Sequence, residues 1–311
     1  MEGTLRGGDV PATVRAAFAP VAGPAEAEAY TRELVRTHYE NFSVVSRLLP
    51  KRLRQDFCNV YAFCRVADDL GDEVPDRTRA LELLGEFRQA LAAMYAQLSA
   101  TEKQTAETSA VFTALRQTVQ RHNIPIQPFD DLIRAFEQDQ TVTRYQTWDQ
   151  VVDYCTRSAD PVGRIVLYMC GYRDDERQRL SDRTCTALQL VNFWQDVRRD
   201  ILERDRIYLP AEAMQKHSVT EEQIRAGTFT PGYAAMMREL CDRTEGLFSG
   251  GKELLPRLEK QYRKQIALFG TGGLAILHAI RRQNYDTLTT RPRLSKWQKM
   301  KLIAGTLLGG G

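Results

Sequence analysis

Two stretches, YAFCRVADDLGDE at 61–73 and QLVNFWQDVRRD at 189–200, set carboxylates inside apolar runs of helical period. Residues three and four apart share one face of a helix. Tyr61, Arg65, Asp68 and Asp72 therefore form one stripe, with Asp69 and Glu73 beside it. Gln189, Asn192, Asp196 and Asp200 form another, and Leu190, Phe193, Trp194, Val197 and Ile201 supply the apolar remainder that anchors that helix in a core. Like charges at i and i+4 repel by about 0.2–0.5 kcal/mol when exposed, and burial beside apolar residues raises the cost. Either cluster by itself reads as a solvated face paired with Lys or Arg. Two of them, in helices too apolar to be solvated all round and with Arg65 the one base on the first stripe, call for a bound counter-charge. Two such helices can face one another across a cavity. Magnesium is bound through one or two carboxylates plus phosphate oxygens, so a Mg²⁺–diphosphate pair fits the pattern.

The remainder of the chain is helical in period, and convincing strand alternation is absent. Helices are expected over Ala25–Tyr39, from Pro50 through the first acidic stretch, over Arg77–Leu98, from Thr105 to His122, and from Pro128 onward. TWDQVVDYCTRSADPVGRIVLYMCGY reads as a long helix interrupted at Pro161 and Gly163, and Thr184–Leu202 as a strong helix. Tyr233–Phe248, Gly251–Tyr285 and Leu294–Leu307 complete the set. The Gly-, Pro- and Ala-rich start implies a poorly ordered arm up to Gly23. With no repeat and no low-complexity linker, the expectation is a single all-α domain over residues 24–308.

At 311 residues the chain can bury a substantial core. Its 43 Lys+Arg against 40 Asp+Glu, without a basic block, give no footprint for nucleic acid. The six cysteines form no CxxC pair and are expected as buried, reduced thiols of a cytosolic protein. No apolar run reaches the ~20 residues of a membrane-spanning helix, and no secretory signal is recognisable. His122, His217 and His278 lack partners at ligand spacing and are read as structural. LFGTGG at 268–273 follows no strand, so no nicotinamide site is expected.

These two acidic motifs, with RIYLP after the second, resemble the signatures of the squalene/phytoene synthase family. HYENFSVVSRLLP, RYQTWDQVVDYC and ILHAIRRQNYDTLTTRPRLSKWQK agree, and the likeness covers about residues 30–300. The resemblance implies an all-α isoprenoid-synthase (terpenoid synthase) helical bundle around a central cavity. It also implies Mg²⁺, with Mn²⁺ as an alternative ion, a prenyl diphosphate lipid as substrate, and no nicotinamide cofactor. Carried over residue by residue, Asp68, Asp72, Asn192, Asp196 and Asp200 would hold the metal. His38, Arg65, Gln189, Asn192 and Arg206 would bind substrate, and Tyr61 and Tyr208 would offer hydroxyls to the leaving group or ring faces to a cation.

Three departures narrow the expectation. Many condensing members carry His-Ser-x-Ser-Phe where this chain has His38-Tyr39-Glu40-Asn41-Phe42, and small or aromatic residues where it has RSADPVGR. They also often carry Arg where it has Gln195. A carboxylate at Glu40 disfavours a second diphosphate, which suits presqualene diphosphate, a substrate with one. The implied reaction is its ionisation and capture by water to give hydroxysqualene. Head-to-head condensation of farnesyl or geranylgeranyl diphosphate is the rival, and a non-catalytic scaffold member the remote alternative. Phe42, Phe63, Phe136, Tyr145, Leu188 and Leu268 are candidate lining for the lipid chain. A cytoplasmic protein is expected, with neighbouring pathway enzymes and the inner face of the membrane as candidate peripheral contacts. The basic, Trp297-bearing tail suits either an interfacial helix or, by preference, a terminal helix packed on the domain.

Overall fold

The computed structural model describes residues 10–38, 50–99 and 109–308. Where the sequence suggests one domain, the chain forms two compact units. The first comprises residues 1–141 with 165–172, and the second comprises residues 142–164 with 173–311.

In the first unit, α1 (Ala12–Ala17) and α2 (Pro24–His38) precede α3 (Arg54–Asp72), α4 (Arg77–Ser99), α5 (Ala110–His122) and α6 (Gln127–Asp139). Pro50 precedes a single 3₁₀ turn, Lys51–Leu53, before α3 begins. Ser109 caps α5 by accepting from the Phe112 amide, and Asn123 ends it in the left-handed conformation at φ 49°. Phe63 of α3 stacks on Phe87 with centroids 5.0 Å apart and meets Phe129 edge-on at 5.1 Å. Burying each such ring contributes roughly 1.5–3 kcal/mol. A polar layer runs beside these rings. Thr31 donates to Asn59, Asn59 to Thr118, and Thr118 to Asp56, which also binds Arg121 and His122.

The expected disordered arm is corrected over its second half. Val14 and Ala17 of α1 are buried, and Phe18 packs edge-on against Phe87 at 5.8 Å. Alanines favour the helix, and the burial of Val10, Val14 and Ala17 supplies what composition understated.

The second unit contains β1 (Arg144–Tyr145), α7 (Trp148–Ser158), the first turn and a half of α8 (Asp160–Met169), α9 (Asp175–Glu203), β2 (Ile207–Pro210), α10 (Ala211–Lys216), α11 (Glu221–Ala226), α12 (Pro231–Gly251), α13 (Lys260–Arg282) and α14 (Lys296–Leu308). Asp174 caps α9, so this helix begins nine residues before the expected Thr184. Thr220 forms a full capping box with Gln223 at the start of α11. Helix α9 packs on α7, α12 and α13 and buries Leu190, Phe193, Trp194, Val197 and Ile201, the five residues whose spacing marked its core face. The Trp194 indole donates to Thr244 on α12 at 2.9 Å.

Three further features differ from the sequence reading. The break in the 148–170 stretch falls at Ala159, and Pro161 sits in the first turn of α8, where its missing N–H costs nothing. Gly163 is required there by close approach, because a Cβ would lie 2.5 Å from the Cys185 sulfur on α9. The expected helix 251–285 is split: Lys252–Arg257 is 3₁₀, Leu258 is extended, and α13 starts afresh. A short parallel pairing, β1 with β2, sets Arg144 opposite Ile207 and Tyr145 opposite Pro210. It is too brief to leave a period-2 signal.

Candidate active site

The first stripe lies on α3. Tyr61, Arg65, Asp68 and Asp72 are each partly exposed, whereas Asp69 is buried. Arg65 bridges two carboxylates, Asp68 at 3.2 Å and Asp69 more closely. The Thr13 hydroxyl from α1 also donates to Asp69. Asp69 therefore belongs to the fold, tying α1 to α3, while Asp68 and Asp72 present their charge outward.

The second stripe lies on α9. Asn192 is exposed, and Gln189, Asp196 and Asp200 are half-buried. Asp196 is held by a bidentate ion pair with Arg291, one arm at 2.9 Å. The bond to Asp196, and the nearby charge of Asp200, raise the Arg291 guanidinium above its ordinary value against the opposing effects of desolvation and Arg199. Gln195 is buried and donates to the Pro292 carbonyl. Adjacent α9 residues thus grip adjacent residues of the segment before α14. Arg291 was not singled out by the sequence reading, and the RPR within the agreeing C-terminal stretch was the available signal.

Past the end of α9, the amides of Arg204 and Arg206 both donate to the Asp200 carbonyl, at 3.0 and 3.1 Å. This wraps the chain around the last turn and buries Arg206 beside Asp200. Tyr208 follows on β2. Its ring stacks on Phe193 with centroids 3.8 Å apart and planes 5° from parallel, within a cluster containing Tyr145 and Tyr154. One ring face of Tyr208 is therefore occupied by packing.

Several expectations are revised. Phe63 is fully buried among Phe87, Phe112 and Phe129, so it is core rather than lining. Tyr145 belongs to the aromatic cluster, and Leu268 is buried. Phe136 lies 3.1 Å from where a Cβ on Gly71 would sit, and Leu188 packs against Gly273. His38 ends α2, but its side chain, with Tyr39, Glu40, Asn41 and Phe42, lies outside the described residues. The three other histidines face carboxylates: His122 with Asp56 and His217 with Glu239, both at 2.9 Å, and His278 with Glu245 at 3.7 Å. All six cysteines are free thiols, and burial pushes Cys64, Cys185 and Cys241 up to about 12, which leaves them unreactive.

RSADPVGR holds a group that the sequence did not mark. Asp160, at the first turn of α8, is 3% exposed and accepts from the Thr186 hydroxyl at 2.8 Å. Desolvation first, and then the nearby Asp182, push its carboxyl up to about 8. Arg164 is engaged in a bidentate pair with Asp182 at 2.8 and 3.0 Å.

Among the described residues, no three His, Cys, Asp or Glu side chains already converge on a metal position. Each stripe offers a pair of hard carboxylate donors that water can reach. That donor set suits Mg²⁺, which keeps water and phosphate oxygens in its shell and does not need an all-protein cage.

The all-α architecture, with an acidic helix face in each unit and the second leading into RIYLP, is that of the isoprenoid synthases. A family model described as squalene/phytoene synthase matches residues 35–298, and the chain belongs to that family of prenyl diphosphate-processing enzymes. A phytoene synthase from Thermus thermophilus is 32% identical over 277 residues, covering 88% of this chain and 90% of that protein. A hydroxysqualene synthase from Sinorhizobium fredii is 32% identical over 229 residues, covering 71% and 72%. The crystal structure of squalene synthase HpnC from Alicyclobacillus acidocaldarius superposes with a TM-score of 0.76 at 42% identity, covering 89% of this chain and 98% of that one.

Proposed function

We propose that this protein converts presqualene diphosphate and water to hydroxysqualene and diphosphate. The observation that carries the reading is the likeness to a hydroxysqualene synthase. The RSADPVGR and Gln195 departures from the condensing pattern accord with it.

In the proposed reaction the carbon–oxygen bond to diphosphate breaks, and its electron pair leaves with the diphosphate. The cyclopropylcarbinyl cation rearranges, a water oxygen bonds to the new cationic carbon, and the water gives up a proton. Mg²⁺ (or Mn²⁺), bound by Asp68, Asp72, Asn192, Asp196 and Asp200, would neutralise charge on the departing diphosphate. Arg65 and Arg206 orient its oxygens through the guanidinium fork. Gln189 and His38 contribute to holding the substrate. Tyr61 and Tyr208 serve through their hydroxyls, since packing on Phe193 takes one face of the Tyr208 ring. Apolar helix faces exclude water except where the cation is captured. No nicotinamide takes part. Because substrate and product are lipids, the reading places the protein in the cytoplasm, working at the inner face of the membrane beside neighbouring pathway enzymes.

Head-to-head condensation of two prenyl diphosphates is a second reading, favoured by the phytoene synthase likeness, which spans more of both chains. Purified protein with Mg²⁺ and no reductant, given presqualene diphosphate in one assay and farnesyl diphosphate in another, separates the two. Hydroxysqualene from the first assay only is the expected result. Presqualene diphosphate or a hydrocarbon from the second would establish condensation, and no product from either would leave the scaffold.

A further inference from the structure

Helix α13 has two working faces. Gly273, Leu277 and Ile280 are turned inward, Gly273 against Leu188 of α9 and Phe248 of α12. The opposite face borders a cavity of about 870 Å³, closed on its far side by α14. Its floor is apolar: Leu255, Ala267, Ala275, Leu294 and Leu302. Its polar lining includes five cations, Lys252, Arg263, Lys264, Arg282 and Lys301, beside Thr271, His278, Gln298 and Thr306, and no carboxylate side chain lines it. None of the acidic-stripe residues borders it either.

The outer surface of α14 continues the same character. Trp297 is 78% exposed and Met300 52%, three residues apart and so on one face, beside exposed Lys296 and Lys299. From Thr287 to the C-terminus the sequence contains no Asp or Glu, while Arg293, Lys296, Lys299 and Lys301 add positive charge. A large indole held in water next to lysines is the arrangement that an anionic lipid–water boundary stabilises. The ring enters the headgroup region while the ammonium groups meet phosphates. Among the described residues no helix is long and apolar enough to cross a membrane, so such contact would be at the surface.

We propose that α14 and the cation-rimmed trough beneath it form a docking face for an anionic phospholipid bilayer. Lys296, Lys299 and Lys301 supply the electrostatic attraction, Trp297 and Met300 the shallow insertion, and the trough a recess for a lipid chain whose phosphate meets the rim. The occupant follows from charge complementarity: a margin with five cationic side chains and no carboxylate suits a phosphate-bearing surface. This names the face for the membrane contact in the proposed function, and it stands whichever prenyl diphosphate the enzyme consumes.

The test is co-sedimentation of the full chain with vesicles of phosphatidylcholine alone or mixed with phosphatidylglycerol, at low and near-physiological salt. Binding to the mixed vesicles only, weakened by salt, is expected. Each lysine removed should lower partitioning roughly fivefold. The triple variant Lys296→Gln/Lys299→Gln/Lys301→Gln should therefore lose on the order of a hundredfold, with its melting temperature unchanged. Tryptophan emission should shift to the blue on binding in the wild type and not in Trp297→Phe. Equal binding to neutral and anionic vesicles, retention in the supernatant with both, or undiminished binding of the triple variant would overturn the proposal. So would a wild-type dimer in sedimentation equilibrium that Trp297→Glu converts to monomer, since a second copy would then own the face. Product assays in detergent read the reaction separately, so failure of docking and failure of the reaction assignment are distinguishable.

Discussion

On α3, Asp68 takes its counter-charge from Arg65, one turn earlier in the same helix, whereas on α9 Asp196 takes its own from Arg291, 95 residues further along the chain. Both stripes carry Asp at i and i+4. The α3 pair is local, and the same guanidinium also neutralises the buried Asp69. The α9 pair instead closes the second unit, because Arg291 and Pro292 are held by Asp196 and Gln195 together. Equal spacing thus serves unequal structural duties. On α3 the carboxylate buried in the fold, Asp69, is distinct from the partly exposed Asp68 and Asp72. On α9 the offered carboxylate is itself part of the tertiary fastening.

The largest expected effects test what the stripes share. Asp72→Asn and Asp196→Asn should each lower kcat on prenyl diphosphate by about 10²–10³ or more while retaining helical circular dichroism. Chelation should abolish turnover, and added Mg²⁺ should restore it. Loss of helix with undiminished specific activity in the residual folded protein would contradict the assignment. The next effect separates the stripes. Arg65→Ala strands the buried Asp69 carboxylate and should cost about 3 kcal/mol in denaturant unfolding, the low end for removing one partner of a buried pair. Arg291→Ala leaves a half-buried carboxylate with some access to water and should cost about 1.5–3 kcal/mol. If Arg291→Ala proved the more destabilising, the contrast drawn between the two stripes would be reversed.

The effect that depends on pH concerns Asp160, a buried carboxylate without a bidentate guanidinium partner. Its folded value lies near 8 and its unfolded value near 4. Between those limits the unfolded chain ionises while the folded one holds its proton, so this group subtracts stability as pH rises from ~4 to ~8 and no further above that. Asp160→Asn should therefore raise the melting temperature little at pH 4 and most at pH 8. A gain independent of pH would locate the effect in packing.

How far the sequence carried depended on the range of the interaction. The faces of α3 and α9 were legible because helical period places them, and the five apolar residues predicted to anchor α9 are all buried. Arg65 was legible because its partners lie three and four residues away. Arg291 was not, because no periodicity links residues 196 and 291. The sequence expectation of Phe63 as cavity lining fails because ring contacts from three other helices, through Phe87, Phe112 and Phe129, make it core, and the identity of those neighbours is tertiary information. Asp160 is unmarked in the sequence, and its raised carboxyl value arises from burial against α9, which no local pattern encodes. The expected break at Pro161 and Gly163, by contrast, lies only two to four residues from the observed one at Ala159, since Pro marks a helix start as readily as a helix end.

The central claim is that water captures a cation released from presqualene diphosphate. The most direct measurement is turnover of that substrate in ¹⁸O-labelled water with Mg²⁺, followed by mass spectrometry of the organic product. The account predicts hydroxysqualene carrying the heavy oxygen, equimolar with released diphosphate. An unlabelled hydrocarbon product, or no consumption of presqualene diphosphate while farnesyl diphosphate is condensed, would contradict it.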